Sequence, residues 1–213
     1  MMGVAGLWEI AMSTTALNPQ LFAVPSEPIW RLSVAQYRQM VSAGILTEAD
    51  RVELLDGLLT LKMPKNPPHR LATKLLRTAF EAIAPEGWYV DSQEPITLAT
   101  SEPEPDLTIV RGDPRDYRDR HPGAADLGLV VEIADATLDR DRGLKKRLYA
   151  EAAIPLYWIV SLPDRQLFCY SQPVMTAAGA DYQVCETVAA GGRAIAAIAG
   201  QVWGEIELSE ILP

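Results

Sequence analysis

The sequence predicts an α/β (α+β) fold in which a mixed β-sheet is flanked by helices. Three observations carry that expectation. Residues 127–134 and 156–162 are nearly continuous apolar runs, the mark of strands buried on both faces. Between them, residues 140–153 read as a helix. Strands before and after a helix make a layered sheet the natural solution. Upstream, Leu71, Leu75, Leu76, Phe80 and Ile83 recur at spacings of three and four, which describes an amphipathic helix over 69–84.

The remaining elements follow in chain order. Residues 13–30 hold Ser, Thr, Asn and prolines without a period, so residues 1–30 read as a poorly ordered arm and 31–213 as a single domain. Met12 is a second plausible start, which makes 1–11 an over-extended leader. The segment has no basic n-region and carries Glu9, which argues against a secretory signal. Ser33 caps a helix that Gly44 stops. Thr47 to Asp50 resembles a capping box with Asp in place of Glu. Residues 52–61 read as a hairpin, because Asp56-Gly57 between apolar runs suits a type I′ turn. Short strands are expected at about 87–91, 94–99 and 106–111, a polar loop at 112–126, and further strands at 165–171, 181–188 and 201–207.

A chain of 213 residues with 48% hydrophobic and 22% charged residues suits one globular domain. No apolar stretch is long enough to span a membrane, and the expected compartment is the cytoplasm. Cys169 and Cys185 sit in strand-like segments outside any CxxC or Cys/His cluster. No zinc site is expected, and both are read as buried free thiols. The net charge of −9 counts against tight, non-specific binding to nucleic acid. The charge is uneven, however. Lys62, Lys65, Arg70, Lys74 and Arg77, with His69, form a run without an acid. A polyanion would meet that run, as a DNA contact; a solvated helix face is the other reading.

The chief anomaly is Glu132, which interrupts an otherwise apolar strand. An ionised carboxylate there is costly unless it is paired, solvated in a cleft or bound to a metal. Asp106 opens the strand 106–111 after Pro103-Glu104-Pro105. Two hard oxygen ligands from adjacent strands suit Mg2+ or Mn2+, which can polarise a phosphate and acidify a water. Asp141, Lys145 and Tyr149 recur every four residues and so share one helix face. Lys145 is a candidate to orient or help deprotonate that water. Two other readings stay open: an Asp141–Lys145 surface pair, and Lys146 as the active lysine.

The string from Glu132 to Ala150, with Ile154-Pro155-Leu156-Tyr157-Trp158-Ile159-Val160, resembles the Uma-two family of bacterial restriction endonucleases, within the PD-(D/E)XK nuclease superfamily. Val52-Glu53-Leu54-Leu55-Asp56-Gly57 and Glu104-Pro105-Asp106-Leu107 resemble its pattern too. The likeness covers roughly residues 30–172. It implies a restriction-endonuclease-like fold and a divalent metal held by Asp106 and Glu132. It also implies that the superfamily's lysine, usually two residues after the Glu, has moved to Lys145, since Ala134 stands in the usual place. Ala136 departs from a Ser that the family often carries.

Glu53 resembles an acidic residue that supports the metal; a solvent-facing hairpin residue is the alternative. Tyr149 and His69 match family positions. Tyr149 either bonds near the site or packs the helix on the sheet, and His69 acts as a helix cap or as a base. Three functions compete. The first is a Mg2+-dependent endonuclease acting on DNA. The second is a catalytically degenerate module that binds nucleic acid or a protein partner. The third is a hydrolase of small phosphate esters. A homodimer is a further expectation, with the Trp158-Ile159-Val160 strand and the following hairpin as interface or as core.

Overall fold

The computed structural model describes residues 28–198 and 200–213; the expectations for residues 1–27 lie outside the described residues. Arg31–Pro213 forms one compact unit. Its centre is a six-stranded sheet in the order β3 (Trp88–Asp91), β4 (Leu107–Arg111), β5 (Leu127–Ala134), β6 (Leu156–Ser161), β7 (Gln166–Thr176) and β8 (Gly179–Ala189). Every neighbouring pair is antiparallel except β5–β6, which is parallel. The fold is thus a mostly antiparallel mixed sheet flanked by helices.

The parallel pair exists because the chain between β5 and β6 crosses over as a helix. That helix has three parts: a turn α3 (Leu138–Arg140), a π turn (Asp141–Lys145) and α4 (Lys146–Glu151). It therefore starts two residues earlier than the sequence suggests. In the π turn the Lys146 N–H reaches back to the Asp141 carbonyl. Such turns concentrate at functional sites.

The two faces of the sheet have different covers. One carries Leu107, Ile109, Leu129, Val131, Ile133, Trp158 and Val160. Onto it pack α2 (Pro67–Ile83), the hairpin of β9 (Arg193–Ile198) and β10 (Gln201–Glu207), and α5 (Leu208–Ile211). Phe80 of α2 meets Trp158 at 5.5 Å between ring centroids. The opposite face carries Val130, Ala134, Tyr157, Ile159, Phe168 and Tyr170 beneath Leu148, Tyr149 and Ile154.

Before the sheet come α1 (Val34–Ser42), capped by Ser33, and the hairpin of β1 (Val52–Leu55) and β2 (Leu58–Leu61). Asp56 and Gly57 take φ of 50° and 76°, as the turn chemistry requires. A Cβ on Gly57 would stand 2.6 Å from the Arg31 Cβ, so the position needs glycine twice over.

Several expectations are corrected. Residues 94–99 form no strand. Pro95 has no N–H to give, and Ile96 and Leu98 bond back to Pro103 and Ser101, leaving one isolated bridge at Thr97. β9 was not expected, since its inward residues Ala194 and Ala196 are too small to write an apolar alternation. The loop 112–126 contains two short 3₁₀ turns, Pro114–Tyr117 and Ala124–Asp126. Both cysteines are free, but Cys185 is exposed and Cys169 only half-buried. Burial still pushes the Cys169 thiol up to about 12. Trp158, Ile159 and Val160 are fully covered within the unit, so this strand is core and not a dimer interface. No helix among the described residues is long and apolar enough to cross a membrane.

Candidate active site

Strand alternation decides where Glu132 points. Val130 and Ala134 lie on the α4 face, so Glu132 between them faces α4 as well. Leu107 pairs with Val131, and one further step of that antiparallel register brings Asp106 beside Glu132. The Ile133 N–H donates to Asp106 Oδ2 at 2.9 Å, tying one acid to the strand that carries the other.

The crossover helix then returns Lys145 over the pair, and Lys145 Nζ donates to Glu132 Oε1 at 2.8 Å. The Tyr149 hydroxyl, one helical turn on, donates to the same oxygen at 2.7 Å. Tyr149 also packs edge-on against Tyr157, so it both builds the core and bonds in the site. Glu53 on β1 is buried rather than solvent-facing. Its Oε2 accepts from the Glu104 N–H at 3.2 Å and lies 3.6 Å from Lys145 Nζ. His69 Nε2 stands 3.1 Å from Asp106 Oδ2. His69 does not cap α2: Asn66 does, accepting from the His69 N–H at 3.0 Å.

Asp141 and Lys145 are 2% and 3% exposed, which overturns the reading of them as a surface pair. The rival Lys146 points away, 2.7 Å from Asp181. Lys145 thus faces three buried carboxylates, those of Glu132, Glu53 and Asp141. Burial pushes Glu132 up to about 8, against the pull of the Lys145 ammonium. Burial also lowers Lys145, but its acidic neighbours outweigh that and hold it above its ordinary value. The two shifts compete for protons; the lysine keeps its own, because three acids surround one ammonium. Added positive charge in the cleft would favour ionised Glu132.

The donor set fits a hard divalent cation. Among the described residues, Asp106 Oδ1 and Glu132 Oε2 accept no protein hydrogen bond, and neither counts among the buried, orphaned atoms. Both acids line one cavity of about 110 Å³. No group of three or more His, Cys, Asp or Glu poised around a common metal point occurs among the described residues. Two carboxylates with water completing the shell is the mode that Mg2+ favours.

The basic run divides. Lys62 is neutralised by an ion pair with Glu104. Lys65 lines the cleft, and with Arg70, Lys74 and Arg77 it lines an adjoining groove of about 330 Å³. Two cleft residues, Arg140 and the inward-facing Asp141, were not singled out from the sequence as site residues. The Asp141–Lys145–Tyr149 spacing was a usable sign, because all three turn out to be buried.

The family model described as "Uma2: Putative restriction endonuclease" matches residues 34–203. The chain belongs to the Uma2 family. A search of curated proteins finds no match. Among solved structures, this Uma2 chain is similar to one described as a putative nuclease belonging to DUF820 from Anabaena variabilis ATCC 29413. The TM-score is 0.63 at 11% identity, covering 86% of this chain and 97% of that one. That likeness speaks to the fold. Family membership supports a nuclease.

Proposed function

We propose that this Uma2 protein is a Mg2+- or Mn2+-dependent endonuclease that hydrolyses DNA phosphodiester bonds. One observation carries the reading: Asp106, Glu132 and Lys145, far apart in sequence, line a single cleft, with the lysine 2.8 Å from one acid. Asp106 and Glu132 would hold the ion, which when bound polarises the phosphate and acidifies a water.

The chain's own residues do the rest. Ile133 and His69 fix Asp106, and Tyr149 and Lys145 fix Glu132, so both carboxylates are oriented in advance. Lys145 carries three donors, and those not given to Glu132 orient the attacking water or meet charge on the phosphate. The water oxygen forms the new bond to phosphorus and releases a proton to solvent, the bond to the leaving sugar oxygen breaks, and that oxygen takes up a proton from solvent. The groove of Lys65, Arg70, Lys74 and Arg77 supplies phosphate contacts beside the cleft.

A second reading, a degenerate module that binds without cutting, draws on the same lysine. Its bond to Glu132 occupies an oxygen that an ion would use, and the chain carries a net charge of −9. Plasmid cleavage with Mg2+ or Mn2+ separates the two. The nuclease reading expects nicking by the wild type that Glu132→Gln lowers by about a thousandfold or more, some 4 kcal/mol of barrier. Equal cleavage by both proteins would contradict it.

A further inference from the structure

Among the described residues, three buried side-chain atoms lack a hydrogen-bond partner: Arg140 Nε, Asp141 Oδ1 and Trp203 Nε1. Two of the three belong to consecutive residues where α3 passes into the π turn, and both residues line the Asp106–Glu132 cleft. Unpaired buried polar atoms are rare and each calls for an explanation. A donor and an acceptor left open on consecutive residues, in the cleft that holds the candidate chemistry, point to something received there.

The Arg140 guanidinium shows which part is open. Its Nη1 donates to the Leu61 carbonyl at 3.2 Å and lies 3.9 Å from Glu53 Oε1. That contact fixes one corner of the plane. Nε has no partner, and Nη2 makes no hydrogen bond among the described residues. Nε–H and the Nη2 hydrogens lie along one edge of the guanidinium. This edge matches two oxygens of a phosphate, the bidentate geometry in which arginine differs from lysine. Of the other cleft cations, Lys62 is bound to Glu104 and Lys145 to Glu132, and Lys65 offers a single ammonium rather than a planar fork. The Arg140 side chain is 25% exposed and lines the cleft, with Nε itself covered and the plane held by the hairpin.

We propose that Arg140 binds the phosphodiester group that enters the cleft, through its Nε–Nη2 edge. This inference rests on the nuclease reading above and adds the residue that grips the substrate. A phosphate oxygen would accept from Nε. Asp141 Oδ1, an acceptor, would not touch the anion; it would take a hydrogen bond from water carried in with it.

The test is binding of a fluorescent DNA duplex by the full chain in EDTA, where cleavage is suppressed, across a salt titration. Arg140→Ala is expected to weaken binding about 10- to 100-fold, the range for a charge-assisted bidentate contact. It should also lower the log–log salt slope by about 0.9, one phosphate's share. Arg140→Lys, which keeps the charge and loses the fork, should keep the slope and recover only part of the affinity. It also guards against an alanine variant that fails to fold. Unchanged affinity and slope in Arg140→Ala would overturn the inference alone. Equal losses with an unchanged slope in both variants would reduce Arg140 to a structural role and overturn it as well. No binding by the wild type at any salt would overturn the nuclease reading along with it.

Discussion

On one side of β5, Leu129, Val131 and Ile133 press against α2 and its neighbours in an unbroken hydrocarbon layer. On the other side the same strand carries Glu132 between Val130 and Ala134, under Lys145 and Tyr149. The two faces differ in what each buried group requires. A hydrocarbon asks only to be covered, and any well-fitting neighbour will do. A buried carboxylate asks for specific partners at specific distances. The polar face therefore fixes the helix 138–151 in position and orientation, and that precision serves the site. Buried apolar clusters on both faces supply stability that tolerates a charged cluster on one of them.

The sharpest way to break this contrast is to open a cavity on the hydrocarbon side. Trp158 is 1% exposed and packs on Phe80. Trp158→Ala should cost about 3–5 kcal/mol in urea unfolding. That loss should be nearly the same at pH 5 and pH 8, because no charge is involved.

Removing the lysine on the other face should behave differently. Lys145→Met leaves the buried Glu132 without its cation. The cost should reach about 3 kcal/mol only above about pH 8, where an unpaired carboxylate must be held. Burial already raises the folded-state pKa of Glu132 above its ordinary 4.5, up to about 8. Across that window the folded protein holds a proton that the unfolded chain releases, so stability falls as pH rises from about 5. Without the ammonium that pulls it down, Glu132 in the variant would sit higher still, so variant and wild type in EDTA should lose stability in parallel from about pH 5 and part only above about pH 8. A pH-independent loss would mean that Lys145 matters only for packing.

A smaller effect isolates a single bond. Tyr149→Phe keeps the ring against Tyr157 and deletes the hydroxyl that donates to Glu132 at 2.7 Å. The expected cost is about 1.5–2 kcal/mol by urea unfolding above pH 8, where Glu132 is ionised, as for a hydrogen bond to a charged group. No measurable cost would show that the hydroxyl does not hold the acid.

The two faces were not equally legible in the sequence. Glu132 announced itself, because a charge inside an apolar strand is rare and has few explanations. The Asp56-Gly57 turn was readable for a similar reason, since the turn type demands those residues. Burial of Asp141, Lys145 and Tyr149 together could only be suspected, since a four-residue spacing serves surface pairs as well as buried ones. The inward placement of Glu53 was hidden, because it depends on how the hairpin docks against Glu104, 51 residues away. β9 escaped notice because Ala194 and Ala196 fill a face without a hydrophobic signature. The π turn left no mark in the residues of 141–145, yet it lies where the helix presents Arg140 and Asp141 to the cleft.

The central claim is that Asp106 and Glu132 together offer open oxygens to a hard cation. Calorimetric titration of Mn2+ into the metal-free protein tests it most directly. One or more ions should bind the wild type in the micromolar to millimolar range, about 4–8 kcal/mol, and Asp106→Asn should abolish that binding while the protein stays folded. Absence of Mn2+ binding to the wild type, or undiminished binding to Asp106→Asn, would contradict the account.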